Sequence, residues 1–235
     1  MHTPVTTSER VYKELRQMVF TGELAPGERL VQRKLAGRLG VSSIPIVEAT
    51  RRLERDGLVV SHANWGAQVQ IWTDEDVEAA YLAREALEGI CCRLFVQRAD
   101  DIQRAELVAL ARRFDEQVIK KDSHGWLESD MALHNHIVRS TRAQTLIHIA
   151  DSSFLITMTM RNAHKRSLGS DTIFPDPGVH DDIVAALLGT DPDAAEQAGR
   201  AHIRRAYEKL RAIDAAMANT PILSAQGVLS SPFEP

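Results

Sequence analysis

The chain has 235 residues, enough for two modest domains or one large one, and its hydrophobic fraction of 44% argues against disorder. Aromatic residues make up only 5% while Ala and Leu abound, which favours helices over a β-sandwich. Residues 1–71 carry 10 Lys and Arg against 7 Asp and Glu, whereas the remainder carries 18 against 25, a mildly basic head on an acidic body.

In chain order, Ser8 begins a helical stretch with Val11, Leu15, Met18 and Val19 on one face. It stops at Thr21-Gly22, and Ala25-Pro26-Gly27-Glu28 reads as a turn. A short helix, Gln32 to Leu39, ends on Gly40, the position of a glycine C-terminal cap. Ser43 is placed to cap the next helix, which runs to Arg55 with Pro45 in its first turn. Two short β-runs, Leu58-Val59-Val60 and Ala67 to Ile71, flank a turn at 62–66, a hairpin of wing size.

After Trp72 the texture changes. Thr73-Asp74-Glu75-Asp76 caps a long helix reaching about Ala99, and further helical stretches follow at about 101–121, 125–140, 143–166, 178–188 and 192–218. Gly189-Thr190-Asp191-Pro192 stops one helix and starts another. The expected architecture is mainly α: a winged helix-turn-helix over 1–72, an antiparallel all-α bundle over 73–219 and a loose tail over 220–235. No apolar run approaches the ~18 residues of a membrane span. Met1 to Arg10 lacks a signal-peptide core. Cys91 and Cys92 are adjacent, a spacing that rarely bridges, so a reducing, cytoplasmic setting is expected.

Two short helices joined by a tight turn and followed by a hairpin match a winged helix-turn-helix. Such a unit braces its first helix on the DNA backbone and inserts the second into the major groove. A small helical domain with no nucleic-acid role has the same spacing. The residues carry the argument further. Val11-Tyr12-Lys13-Glu14-Leu15-Arg16, Gly22 to Leu30, Leu35-Ala36, Leu39-Gly40-Val41-Ser42, Pro45, Glu48-Ala49, Arg52-Leu53 and Asp56-Gly57-Leu58-Val59 closely resemble the GntR family of bacterial regulators over about residues 8–71. That resemblance implies a homodimer on a palindromic double-stranded operator.

The recognition helix departs from the family. It reads Ser42-Ser43-Ile44-Pro45-Ile46-Val47-Glu48-Ala49, with Ser43 and Val47 where family members place arginines and Ile44 where they place threonine. Arginine reads guanine through paired hydrogen bonds worth about 1–3 kcal/mol. Trp65-Gly66 at the wing tip also lacks the basic residue often found there. Arg33, Lys34, Arg38, Arg51 and Arg52 remain as phosphate candidates. Ser42 is placed either to touch phosphate or to cap the helix. Two outcomes stay open: small and apolar contacts from Ser43, Ile44 and Val47, with Gly66 at the wing, or impaired sequence-specific binding.

In the body, Asp130 and His134 are four apart and share a helix face. His180 opens a later helix and His202 lies midway along the last one. Neutral imidazoles and a carboxylate together hold a divalent transition metal. A tetrahedral ion would then be closed, and a six-coordinate one would keep two positions open. Spacing alone leaves room for ordinary core histidines, and His2, His62, His124, His136, His148 and His164 are read that way or as exposed. The set Arg84-Glu85-Ala86-Leu87-Glu88, Asp130-x3-His134, His180 with Ile183 and Leu187, Asp191-x2-Ala194 and His202 resembles the FCD ligand-binding domain of the FadR-type subfamily. The resemblance covers about residues 74–218. It implies zinc, nickel or manganese on Asp130, His134, His180 and His202, and a small carboxylate as effector. Ala143, usually asparagine, departs from it. Arg84 and Arg161 are the candidate effector cations, although Arg84 could instead pair with Glu88. A metal-dependent enzyme on the same bundle is the competing reading, disfavoured by the absence of a placed base, nucleophile or cofactor motif.

Overall fold

The computed structural model describes residues 6–167 and 175–216. The expected tail, 220–235, lies outside the described residues. The chain forms two compact units. The first holds the described residues up to Val77 together with residues 158–167 and 214–216, and the second holds Glu78–Thr157 and, later in the chain, residues 175–213.

The first unit begins with α1, Thr7–Thr21, one residue earlier than the periodicity suggests because the Thr6 hydroxyl accepts from Glu9 N–H at 3.1 Å and caps it. Its apolar stripe, Val11, Tyr12, Leu15, Met18 and Val19, is buried. Helix α2, Gln32–Leu39, ends as expected on Gly40, whose φ of 65° only glycine adopts at little cost. Helix α3, Ser43–Arg55, follows. Its N-cap is Ser42, not Ser43, and the Ser42 hydroxyl makes no capping hydrogen bond. Ile46, Ala49, Thr50 and Leu53 face inward from α3, and α1 packs on that helix. The Tyr12 hydroxyl donates to Asp56 Oδ2 at 2.6 Å across the same interface.

Strands β1, Val59–His62, and β2, Gly66–Val69, pair antiparallel from Val59↔Val69 to His62↔Gly66. Residues 28–30 add an edge that periodicity did not show. Val69 N–H donates to Glu28 O at 2.9 Å, Leu30 N–H donates to Ala67 O at 2.8 Å, and Arg29 bridges Gln68.

Helix α4, Asp74–Arg98, opens on Thr73 and Asp76, which cap one another's backbone N–H groups. Next come α5, Asp101–Ile119, α6, Ser123–Ser140, and α7, Gln144–Ser167. The last two are α8, Asp181–Leu188, and α9, Pro192–Ala216. Helix α8 is shorter than the expected 178–188. Residues 177–180 form a turn, and His180 is the N-cap residue rather than the opening of the helix. The α6–α7 connection, where Ala143 departs from the family, is held by other groups. Thr141 Oγ1 accepts from Ala143 N–H at 3.2 Å, and Arg98 donates to Thr141 O at 2.6 Å.

The core of this unit gathers Cys91, Cys92, Phe95, Leu107, Leu133, Ile137, Ile183 and Leu187 from four helices. Both thiols are free and buried, and burial pushes the Cys91 thiol up to about 12, so it is an inert apolar filler at neutral pH.

Candidate metal centre and nucleic-acid interface

Asp130 and His134 project from α6, His180 from the cap of α8 and His202 from the middle of α9. Residues 72 positions apart in sequence thus meet in one buried cluster, with all four side chains at 1–6% exposure. Ring nitrogens of His134, His180 and His202 that could serve as metal ligands lie within 4.8 Å of one another. Two nitrogens each about 2.1 Å from one ion stand at most about 4.2 Å apart, so the cluster is only slightly wider than a filled site. Asp130 Oδ1 lies 3.3 Å from His180 Nε2 and 3.8 Å from His134 Nε2, beside the triad.

The electrostatics favour ligation. Neither ring nitrogen of His180 makes a hydrogen bond, although the residue is 2% exposed. Buried polar atoms are normally satisfied, and His180 Nε2 faces Asp130 Oδ1 without a formed hydrogen bond, a donor set that suits a shared cation. Burial, reinforced by the neighbouring His134 and His180 rings, holds His202 well below the ordinary imidazole range. It is therefore neutral near pH 7, the state a metal ligand requires. Phe114 packs edge-on against His180, with ring centroids 4.4 Å apart, and fixes its plane.

Glu88 is the residue sequence reasoning missed as part of this site. Its Oε2 lies 2.5 Å from His134 Nδ1, while its other oxygen is ion-paired with Arg84. Burial opposes ionisation of Glu88, but the Arg84 guanidinium and the His134 ring outweigh it and hold the carboxyl at about 2. A carboxylate on the far nitrogen of a ligating histidine sets its tautomer and orientation. The i, i+4 spacing to Arg84 was visible in the sequence, but the contact to His134 on another helix was not.

Arg84, expected as an effector contact, is 3% exposed and engaged with Glu88. It still lines a small recess of about 10 Å³ beside the cluster, the size of a single water, with Glu88, His134, Asn135 and Ser153 as its other polar walls and Leu87, Val138 and Ala150 as its apolar ones. Arg161 falls on α7, and its side chain lies outside the described residues.

In the first unit, Ser42, Ser43, Ile44 and Arg51 are exposed and Val47 is half-buried. Ser43, Val47 and Arg51 share one face of α3 at four-residue spacing, opposite the buried stripe, and Ile44 adjoins them at 69% exposure. Arg33 and Lys34 sit in the first turn of α2. The ion pairs sort the cations. Arg38 pairs with Glu23, and Arg52 pairs with Glu9 at 2.5 Å while its guanidinium stacks 3.8 Å from the Tyr12 ring centroid. Both phosphate candidates are thus engaged within the fold. Arg33, Lys34 and Arg51 have no carboxylate partner among the described residues. Gly66 opens β2 in the left-handed region, at φ 98°.

Three short helices and a braced hairpin ahead of a helical domain with a buried imidazole triad define a winged helix-turn-helix protein with an all-helical second domain. Residues 7–69 match the model of bacterial regulatory proteins of the gntR family, and residues 79–205 match the FCD domain. The chain belongs to the GntR family and carries an FCD domain. It is 37% identical over 105 residues to the uncharacterized HTH-type transcriptional regulator YdhC of Bacillus subtilis, an alignment covering 45% of this chain and 46% of that protein. It is 26% identical over 202 residues to a probable D-xylose utilization operon transcriptional repressor of Paenarthrobacter nicotinovorans, covering 86% and 87%. Its fold is similar to that of E. coli McbR/YncC, with a TM-score of 0.74 at 20% identity over 89% of this chain and 99% of the other. These relatives are transcriptional regulators, not enzymes, which sets aside the metalloenzyme reading. No described helix is long and apolar enough to cross a membrane.

Proposed function

We propose that this protein is a ligand-responsive transcriptional repressor that binds a palindromic operator as a homodimer. In this reading Asp130, His134, His180 and His202 hold a divalent transition metal, and a small carboxylate binds beside it. The observation that carries the sensor half is the buried gathering of three imidazoles whose nitrogens lie within 4.8 Å of one another. When bound, the ion supplies a Lewis-acid docking point for an oxygen ligand. Glu88 holds His134 with its Nδ1–H toward the carboxylate, so that Nε2 faces the cluster. Arg84 keeps Glu88 ionised and presents cationic charge to the recess, with Arg161 as a second candidate cation.

On the DNA side, Ser43, Ile44 and Val47 offer small and apolar contacts suited to thymine methyls, while Arg33, Lys34, Arg51 and the uncapped Ser42 hydroxyl are free for phosphate. Names containing "repressor" among the relatives support the sign of regulation. Effector and DNA occupancy are coupled, so each changes the other's affinity by the same factor.

The test is metal analysis of the purified protein with thermal-shift screening of small carboxylic acids. A true effector at 100 times its Kd stabilises by about 2.7 kcal/mol. It also changes affinity for the duplex upstream of the gene. Metal-free protein that gains no stability from added zinc, nickel or manganese, and whose DNA affinity no acid changes, contradicts the reading.

A further inference from the structure

From Val59 to Val69 the hairpin contains no lysine or arginine. The fold brings a cation to it from outside. Arg29 lies beside β2, bridged to Gln68 on the extended segment 28–30, and its guanidinium carbon sits 5.1 Å from the Trp65 ring centroid. Trp65 is 44% exposed at the turn, and His62 packs against its edge with centroids 5.5 Å apart at 79°. A Cβ on Gly66 would come 3.6 Å from Arg29 Nε, so the stack passes directly over that glycine. Arg29 is exposed and, unlike Arg38 and Arg52, has no carboxylate partner among the described residues.

A guanidinium lying on a ring face keeps its N–H donors directed outward at its edge, and the stack limits the rotamer freedom it would lose on binding. An exposed, unneutralised and preoriented arginine at a wing tip has the chemistry of a contact to phosphate or to a narrow minor groove.

We propose that Arg29, held on the face of Trp65, is the cationic DNA contact of the wing and supplies from the adjoining extended segment the charge that the hairpin lacks. The inference rests on the reading that the first unit binds DNA.

It is tested by fluorescence anisotropy of the full-length protein with two labelled duplexes, one from upstream of its gene and one of random sequence, across a range of salt. Arg29→Gln weakens binding to both duplexes and reduces the slope of log affinity against log salt by about 1. Arg139→Gln, which removes an equal charge paired with Asp151 in the second unit, leaves the slope unchanged. Arg29→Lys keeps the slope but binds more weakly than the unaltered protein, because an ammonium lacks the flat stack and the fork of donors. A wild-type slope in Arg29→Gln, with only a lower unfolding midpoint, overturns the proposal and makes the stack a brace. Wild-type affinity in Arg29→Lys overturns the role of the stack, and that variant decides the matter if Arg29→Gln does not fold. Binding of neither duplex by the unaltered protein overturns the DNA reading itself, whereas binding with Arg29→Gln indistinguishable from it overturns this inference alone.

Discussion

The two candidate sites sit at opposite ends of the exposure scale. His134, His180 and His202 are 1–6% exposed and gathered from three separate parts of the chain, whereas Ile44 on α3 is 69% exposed and its neighbours Ser43 and Val47 lie one turn apart on a single helix. A buried polar cluster is constrained at every member, because one missing partner strands the others at a cost of about 1–3 kcal/mol or more. An exposed helix face carries no such penalty. Ser43, Ile44 and Val47 replace the usual side chains without disturbing Ile46, Ala49 or Leu53 behind them. The contrast explains how one chain combines a tightly constrained buried Asp–His cluster in its body with a recognition face that departs from the family.

Substitutions on either side should sharpen this contrast. The largest effect is expected for Glu88→Gln, which leaves Arg84 buried without its counter-charge and costs about 3–5 kcal/mol in chemical denaturation. Metal content should fall with it, since His134 loses its orienting carboxylate. The Glu88 carboxyl is lowered from 4.5 to about 2 in the folded protein, so its contribution is complete above pH 4.5 and is lost as pH falls toward 2. In Glu88→Gln the stability profile should flatten across that window; an unchanged profile would show that the pair contributes nothing.

Ile46→Ala works on the other side. Ile46 is fully buried in α3, and its truncation should cost about 2–5 kcal/mol in the first unit. DNA binding should be lost while metal content persists, and simultaneous loss of both would show that the two functions are not separable. The smallest effect is expected for Tyr12→Phe. Removing the hydroxyl that donates to Asp56 should cost about 1 kcal/mol and weaken DNA binding only modestly. A wild-type unfolding midpoint in this variant would remove that bond from the account.

Much of the fold was legible because its signals are local. Gly40, Gly189 and Pro192 punctuate helices where the structure ends or begins them, and the stripe of α1 is buried as its period implies. The errors are local as well: Ser42 replaces Ser43 as the cap, and α8 starts after His180 rather than at 178. Of the candidate site, Asp130 and His134 could be placed on one face from spacing alone. The approach of His180 and His202 is long-range, and the family resemblance supplied it. Glu88 against His134 and Arg29 against Trp65 join distant segments through side chains, and no period in a single sequence encodes such pairs. The same limit applies to Arg52, whose commitment to Glu9 and Tyr12 depends on how α1 crosses α3.

The most direct measurement is a competition titration of the purified protein on the duplex upstream of its gene against a scrambled duplex at fixed, physiological salt. The account predicts at least a 10³-fold preference, as order-of-magnitude behaviour for a specific site, carried by a recognition helix that lacks the two arginines. Equal affinity for both duplexes with a common salt slope would contradict it, leaving a protein that binds DNA without reading its sequence.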